Sequence, residues 1–270
     1  MMSTDNRLMI TNLQKLEHFY VLMAKATGLP FAECDPETFD DQVAVFETEQ
    51  DAKNYAEALE NDNYPTIVTD ITKEKMQAFY TGLYLTGINR VAFHNGSGFC
   101  YLDLNAIVTV KKPEQKENMP PVMNDSLQLT AVYFLQELRR PNQDNTDRER
   151  AKKLQEMEQE LIADLRRSRF VLAIDVTDVK GPVDLSKPNS DIKVPYLKNP
   201  AGDVIQPIFS DLWEYEKFRQ KNPRKLQALS VSFQRLVPPI IQNAKGFALN
   251  PAGFNLLLQR DKIEALAKQQ

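Results

Sequence analysis

The sequence predicts an α+β protein made of two related domains in tandem, each a small mixed or largely antiparallel sheet covered by helices. Three observations carry this. Segments with helical apolar spacing alternate with short β-rich runs, a polar stretch with prolines divides the chain, and the second half repeats the element order of the first. With 270 residues the chain can supply a core to each of two ordinary domains.

In chain order, Leu13, Leu16, Phe19, Tyr20 and Met23 recur at helical spacing, and Gly28 with Pro30 ends that predicted helix. Phe31 begins a short extended piece. After the acidic turn CDPETFDD, the run VAVF (Val43 to Phe46) reads as a strand. Thr48 stands three residues before Asp51 in the order of a capping box, so a helix opens there and runs through Leu59. YPTIVTD then reads as a strand, KEKMQAFYTGLY as a helix, and RVAF with FCYLDL as two strands about the turn HNGSG.

Lys111 to Asp125 is polar, holds three prolines and has no periodicity, the composition of a linker. The expected division is a first domain at 1–110, a linker with one helix at 111–147, and a second domain at 148–270. The linker helix, from about Ser126 to Leu138, places Val132, Leu135 and Leu138 on one face. A longer helix from about Arg148 to Arg167 carries the stripe Leu154, Met157, Leu161 and Leu165.

From this helix onward the chain repeats its own beginning. DLRRSRFVLAID takes the place of AKATGLPFAECD, IQPIFSDLWEYEKF that of VAVFETEQDAKNY, and FALNPAGFNLLL that of FHNGSGFCYLDL. This matching pairs Phe46 with Phe209, Thr48 with Asp211, Asp51 with Glu214 and Tyr55 with Phe218. It also pairs Asn95 with Asn250, Gly98 with Gly253 and Phe99 with Phe254. The tetrapeptide NPAG occurs twice, at Asn199 to Gly202 and at Asn250 to Gly253. Asn and Gly tolerate positive φ and Pro pre-sets a turn, so backbone reversal between strands is enough to explain it.

At YLKNPAGDVIQPIFSDLWEYEKF and GFALNPAGFNLLL the sequence resembles the SseB family, named for enhanced serine sensitivity protein B, in its N-terminal domain. The second half, about Leu154 to Leu266, carries the resemblance through IQPIFSD and LNPAG. The first half, about Leu13 to Val108, carries it through VAVFETE and an HNGSG without the proline. The resemblance implies two tandem copies of that fold and a likeness to bacterial cytoplasmic proteins of undefined molecular role. It brings no catalytic residues. A typical member joins one such domain to a different C-terminal domain, which this sequence does not show.

The net charge of -4 lacks the basic footprint that nucleic acid requires. Arg148, Arg150, Lys152 and Lys153 are followed at once by Glu156, Glu158 and Glu160, the charge order of a solvated helix. Cys34 and Cys100 lie far apart with no CxxC, and His18 and His94 are the only imidazoles, so no disulfide framework, zinc site or other metal site is expected. The acidic pairs Asp40 with Asp41 and Asp175 with Asp178 lack the spacing of a calcium loop. No signal-peptide core and no membrane-length apolar run is present, which makes the cytoplasm the default location.

The one catalytic suspect is Cys100 with His94 and Asp103, since a thiolate needs a base that a carboxylate orients. Strand alternation sets Phe99 and Cys100 on opposite faces and turns Asp103 away from Cys100, so a buried, inert cysteine is expected. Gly96 and Gly98 do not continue into a phosphate loop. No catalytic or cofactor-binding residue is therefore assigned and no cofactor expected. Candidate interface residues are Trp213 and Tyr215 on the helix that Asp211 caps, with Val237 and Ile240 in the VPPII loop. The expected function is a non-enzymatic binding or adaptor protein with a protein partner. The alternative is a small-molecule enzyme or sensor with its site between the two domains.

Overall fold

Each half of the chain builds a mixed sheet of six strands, and both sheets follow one plan. The computed structural model describes residues 4–109, 122–141, 147–181, 192–236 and 244–268. The chain divides into two compact units, Met1–Lys112 with Gln128–Gln159 and Pro113–Leu127 with Glu160–Gln270. Residues 128–159 thus group with the first unit, where the sequence placed a linker and the start of a second domain.

In the first unit α1 (Thr4–Lys15) leads to β1 (His18–Ala24), β2 (Ala32–Cys34) and β3 (Asp41–Phe46). Then come α2 (Glu49–Asn61), β4 (Thr66–Thr72), α3 (Lys73–Thr86), β5 (Arg90–His94), β6 (Phe99–Asp103) and the short α4 (Leu104–Ile107). The strand order is β4-β1-β3-β5-β6, with β2 also paired to β3. The pairing of β3 with β5 is parallel, and the other pairings are antiparallel.

The expected helix from Leu13 to Met23 is corrected by the structure. α1 ends at Lys15, and HFYVLMA is a strand paired from His18↔Thr72 to Ala24↔Thr66 along β4. Being central, this strand buries both faces, so its apolar residues do not alternate strictly and imitate helical spacing. Elsewhere local chemistry holds. The Thr48 hydroxyl accepts from the Asp51 amide at 3.2 Å, which starts α2 as a capping residue should.

α5 (Asp125–Leu138) and α6 (Arg148–Arg167) come next. Within the first unit the Gln136 amide, on α5, lies against β2 and acts as a short extra strand. Its Oε1 accepts from the Ala32 N–H and its Nε2 donates to the Ala32 carbonyl, both at 3.0 Å and both buried.

The second unit contains β7 (Arg169–Asp175), β8 (Leu197–Lys198), β9 (Val204–Phe209), α7 (Leu212–Gln220), β10 (Leu226–Ser232), β11 (Ala244–Leu249), β12 (Leu256–Gln259) and α8 (Arg260–Lys268). Its order, β10-β7-β9-β11-β12 with β8 on β9, reproduces the first sheet strand for strand. Register repeats as well, since Tyr20↔Phe46 corresponds to Val171↔Phe209. The true counterpart of RFVLAID is therefore HFYVLMA, not the segment around AKATGLPFAECD. Under α2 the core is Leu22, Ala44, Phe46, Ala52 and Leu59, and under α7 it is Val171, Ala173, Phe209 and Tyr215 with Val122 and Leu226.

Gln136→Leu keeps the size of the side chain but leaves the buried N–H and C=O of Ala32 unpaired. Urea unfolding is expected to show a loss of about 2–4 kcal/mol.

Candidate functional site

α2 lies over β1, β3 and β4, and on that side of the sheet the next strands carry a different set of groups. Period-two alternation puts Arg90, Ala92 and His94 of β5 on this face, opposite Asp103, Tyr101 and Phe99 of β6. Strand β6 is an edge of the sheet among the described residues. Phe99 is 37% exposed and Tyr101 47%, and their rings stack at 6.4 Å with 19° between planes.

Neighbours hold this row in place. Phe99 meets Tyr55 of α2 edge-on at 5.7 Å, Phe46 at 5.9 Å and His94 at 5.0 Å. The Arg90 guanidinium lies 4.6 Å from the centre of the Tyr101 ring. Arg90 is itself fixed by Asp35 at 2.5 Å, Asp40 at 2.8 Å and the side-chain Oε1 of Gln42 at 2.6 Å. Asp35 is held down to about 2 by the amides of Thr38 and Glu37 and by Arg90.

Beside the row, the Tyr55 hydroxyl donates to both carboxylate oxygens of Glu33 at 3.0 Å. Burial pushes the Glu33 carboxyl up, against the hydrogen bond from Tyr55, and pushes the Tyr55 phenol well up too. His94 Nδ1 lies 3.5 Å from Asp51 on α2. Together these residues form an aromatic surface with a planar cation at one end and a desolvated acid at its inner margin. Such a surface binds through ring faces and hydrogen bonds.

The second unit is an internal control for this face. Val45↔Phe93 corresponds to Ile208↔Leu249, so His94 corresponds to Asn250. Likewise Phe93↔Cys100 corresponds to Leu249↔Leu256. This moves the sequence pairing by one residue: Asn250 stands for His94 rather than Asn95, and Leu256 for Cys100 rather than Asn255. Glu33, Tyr55, Arg90, Phe99 and Tyr101 are thus matched by Leu197, Phe218, Gly246, Asn255 and Leu257. The fold repeats and the site does not. At Gly246 no side chain fits, because a Cβ would stand 2.0 Å from the Leu258 carbonyl oxygen.

Asn250 has a structural task that the sequence reading missed. Its side chain is fully buried, accepts from the Ser210 amide at 2.9 Å and donates to the Ser210 hydroxyl at 2.8 Å. The Ser210 hydroxyl passes the connection to Asp211, the N-cap of α7. The two copies of NPAG also use glycine differently. Gly202 needs its φ of +83° in an open turn, whereas a Cβ at Gly253 would lie 2.9 Å from Glu214 Oε2. Asn199 closes the first copy as an ordinary turn, with Oδ1 accepting from the Asp203 amide at 2.9 Å.

Of the candidate interface residues, Trp213 is 49% exposed on α7, while Tyr215 is buried edge-on against Phe209 at 5.7 Å. Tyr215 seats the helix on the sheet, and an interface on α7 falls to Trp213. Val237 and Ile240 lie outside the described residues. In the suspected triad, His94 and Cys100 take opposite faces of the hairpin; the Cys100 thiol sits 4.0 Å from Asn6 of α1, and Asp103 caps α4. Cys34 is exposed; partial desolvation of its thiol and the nearby carboxylates of Asp41, Asp35 and Asp40 outweigh Arg90 and push the thiol up, away from the reactive thiolate.

Residues 148–265 match the family model of the SseB protein N-terminal domain, so the chain carries one such domain, which makes up most of its second unit. Comparison with curated proteins gives no match. Among solved structures, Tic22 from Plasmodium falciparum is similar at 12% identity and a TM-score of 0.21, over 95% of this chain and 94% of that one. Anabaena Tic22 (protein transport) is similar at 12% identity and a TM-score of 0.21, over 86% of this chain and 83% of that one. Scores this low carry no weight for fold or function. No helix among the described residues is long and apolar enough to cross a membrane.

Glu214 offers a test of the second unit's junction. Its side chain is 9% exposed, Oε1 pairs with Lys217 at 2.5 Å, and Oε2 has no hydrogen-bond partner among the described residues. Burial pushes this carboxyl up, more than Lys217 pulls it down. The folded state therefore binds the proton more tightly than the unfolded one. That contribution is fully present below the ordinary glutamate value and is lost as pH rises through the folded value. Glu214→Gln is expected to raise the thermal midpoint at neutral pH by on the order of 2 °C, with the two curves converging in acid.

Proposed function

We propose that this protein is a non-enzymatic binding or adaptor protein of the cytoplasm, and that it engages a protein partner through the aromatic row of its first unit. The observation that carries this reading is the stacked, exposed pair Phe99 and Tyr101 on an edge strand, ordered from behind by Tyr55, Phe46 and Arg90. Pre-ordered aromatic rings give much contact area for little loss of freedom, which is how interface anchors work. The copy in the second unit supports the assignment. It keeps strand order, register and helix cap while carrying Asn255 and Leu257 at these two positions.

We read both units as copies of the SseB-type domain. The first has diverged at the binding face, and the second supplies the likeness that the family model detects. Trp213 on α7 is a separate exposed aromatic and is the natural comparison variant.

A tagged pull-down from source-cell lysate, at low and then high salt, tests the reading with three proteins: wild type, Phe99→Ser with Tyr101→Ser, and Trp213→Ser. Wild type is expected to retain one stoichiometric protein, the double variant to lose at least about tenfold of it, and Trp213→Ser to keep it. Each variant should keep the wild-type circular dichroism, since all three side chains are exposed. A partner held equally well by the double variant, or none held by wild type, overturns the proposal.

A further inference from the structure

On the side opposite β6 the first sheet ends in β4, Thr66–Thr72, and this edge lacks the usual protection. Its pairing with β1, from Ala24↔Thr66 to His18↔Thr72, runs without a bulge. The strand TIVTDIT is mostly β-branched and holds no lysine, arginine or proline, the residues with which edge strands discourage pairing. Its one charge, Asp70, lies 3.3 Å from His18 of β1. No residue of β4 is fully buried, and Ile67 is 54% exposed.

The phase of the hydrogen bonds shows which groups β4 offers. The Lys73 N–H donates to the Glu17 carbonyl at 2.9 Å, and the Lys25 N–H to the Pro65 carbonyl at 3.0 Å. Both bonds continue the register of β1 with β4, so the odd-numbered residues of β4 are the ones hydrogen-bonded to β1. Thr66, Val68 and Asp70 therefore turn N–H and C=O away from β1, and among the described residues these groups meet no other strand.

This strand reads nearly the same in both directions. Folded back about Thr69, it sets Ile67 against Ile71, Thr66 against Thr72 and Val68 against Asp70. Each residue that turns its backbone outward then faces another that does so. Centring on Asp70 instead would oppose two carboxylates, and centring on Val68 would set Ile71 against Pro65. Charge agrees with the first register. The chain enters β4 past Glu60 and Asp62 and leaves it into α3 at Lys73 and Lys75, so an antiparallel copy brings each acidic entry towards the other's basic exit. Lys73 already pairs with Glu17 at 2.6 Å, and the contact falls to Asp62 and Lys75. The second unit lacks the property. Tyr20↔Asp70 corresponds to Val171↔Ser230, and β10 folded about Leu229 sets Gln227 against Val231 and Leu226 against Ser232.

We propose that this edge binds a second copy of the chain, β4 to β4, antiparallel about a two-fold axis at Thr69. The interface is the same patch on both copies and joins their first sheets into one, with Ile67 of each beside Ile71 of the other. Because β4 and β6 are opposite ends of the strand order, the dimer leaves the edge at β6 open.

Sedimentation equilibrium of the full chain between about 1 and about 100 μM tests the proposal, and the average mass is expected to rise from that of one chain towards that of two. Thr69→Lys and Thr69→Glu set like charges against each other at the axis. Each is expected to weaken the dimer at least about tenfold, and an equimolar mixture of the two to restore it as a heterodimer. Mild oxidation gives a second reading that does not depend on disrupting assembly. Thr69→Cys is expected to form a disulfide-linked dimer, because directly opposed residues of this kind stand about 4.5 Å apart at Cα. Ile67→Cys, whose own copy lies four residues further along, is expected to link no more than wild type, in which the exposed Cys34 sets the background. A wild type still monomeric at about 100 μM, like-charge variants that associate as well as wild type, a mixture no better than either alone, or equal linkage at positions 67 and 69 overturns the proposal.

Discussion

The parallel pairing of β3 with β5, repeated by β9 with β11, is the constraint on which the architecture depends. Parallel neighbours cannot be joined by a tight turn, so the chain must leave the sheet and return. In the first unit it leaves after Phe46 through α2, adds β4 at the far edge beside β1, and comes back through α3 to Arg90. Because α2 connects β3 to that far edge, it roofs β1, β3 and β4. Among the described residues the β5 and β6 half of the same face is then covered only at its margins, by Tyr55 and Asp51 of α2 and by the Asp35–Asp40 turn. The aromatic row is a result of this topology, since rings on that half must either find a partner or stay in water.

The duplication separates what serves the fold from what is free to vary. Both units keep a buried Phe at the end of the third strand, a helix cap two residues later, and a buried Phe early in the first strand, as Phe46, Thr48 and Phe19 or Phe209, Asp211 and Phe170. At the junction of the cap and the fifth strand the chemistry differs while the position is kept. Asn250 fastens Ser210 by two hydrogen bonds, whereas His94 approaches Asp51 at 3.5 Å. The second unit closes this point with hydrogen bonds, and the first closes it with the His94 ring against Phe46 and Phe99.

The sequence makes the capped helices and the hairpins legible because their causes are local. Thr48 and Asp211 show the caps, and Asn, Pro and Gly show the turns. HFYVLMA was hidden by its place: with neighbours on both sides and both faces buried, it loses the alternation that marks a half-exposed strand. The candidate site was hidden by distance along the chain. Arg90 reaches back to Asp35 and Asp40, and Tyr55 to Glu33, so no short window contains the arrangement. One signal was present: FCYLD alternates, with Phe99, Tyr101 and Asp103 on the exposed face and Cys100 and Leu102 on the other. The off-by-one alignment at NPAG shows that shared letters are a weaker guide than shared hydrogen bonds.

Gly246 limits how this duplicated protein can change. Its counterpart Arg90 anchors the cationic end of the row, but any side chain at 246 would enter the backbone of β12. The second unit therefore cannot take an arginine at this position with its present backbone, because even the Cβ of alanine meets the Leu258 carbonyl. The asymmetry between the two units at this position is held by backbone geometry, so an anchor of the Arg90 kind in the second unit requires a rebuilt β11–β12 hairpin.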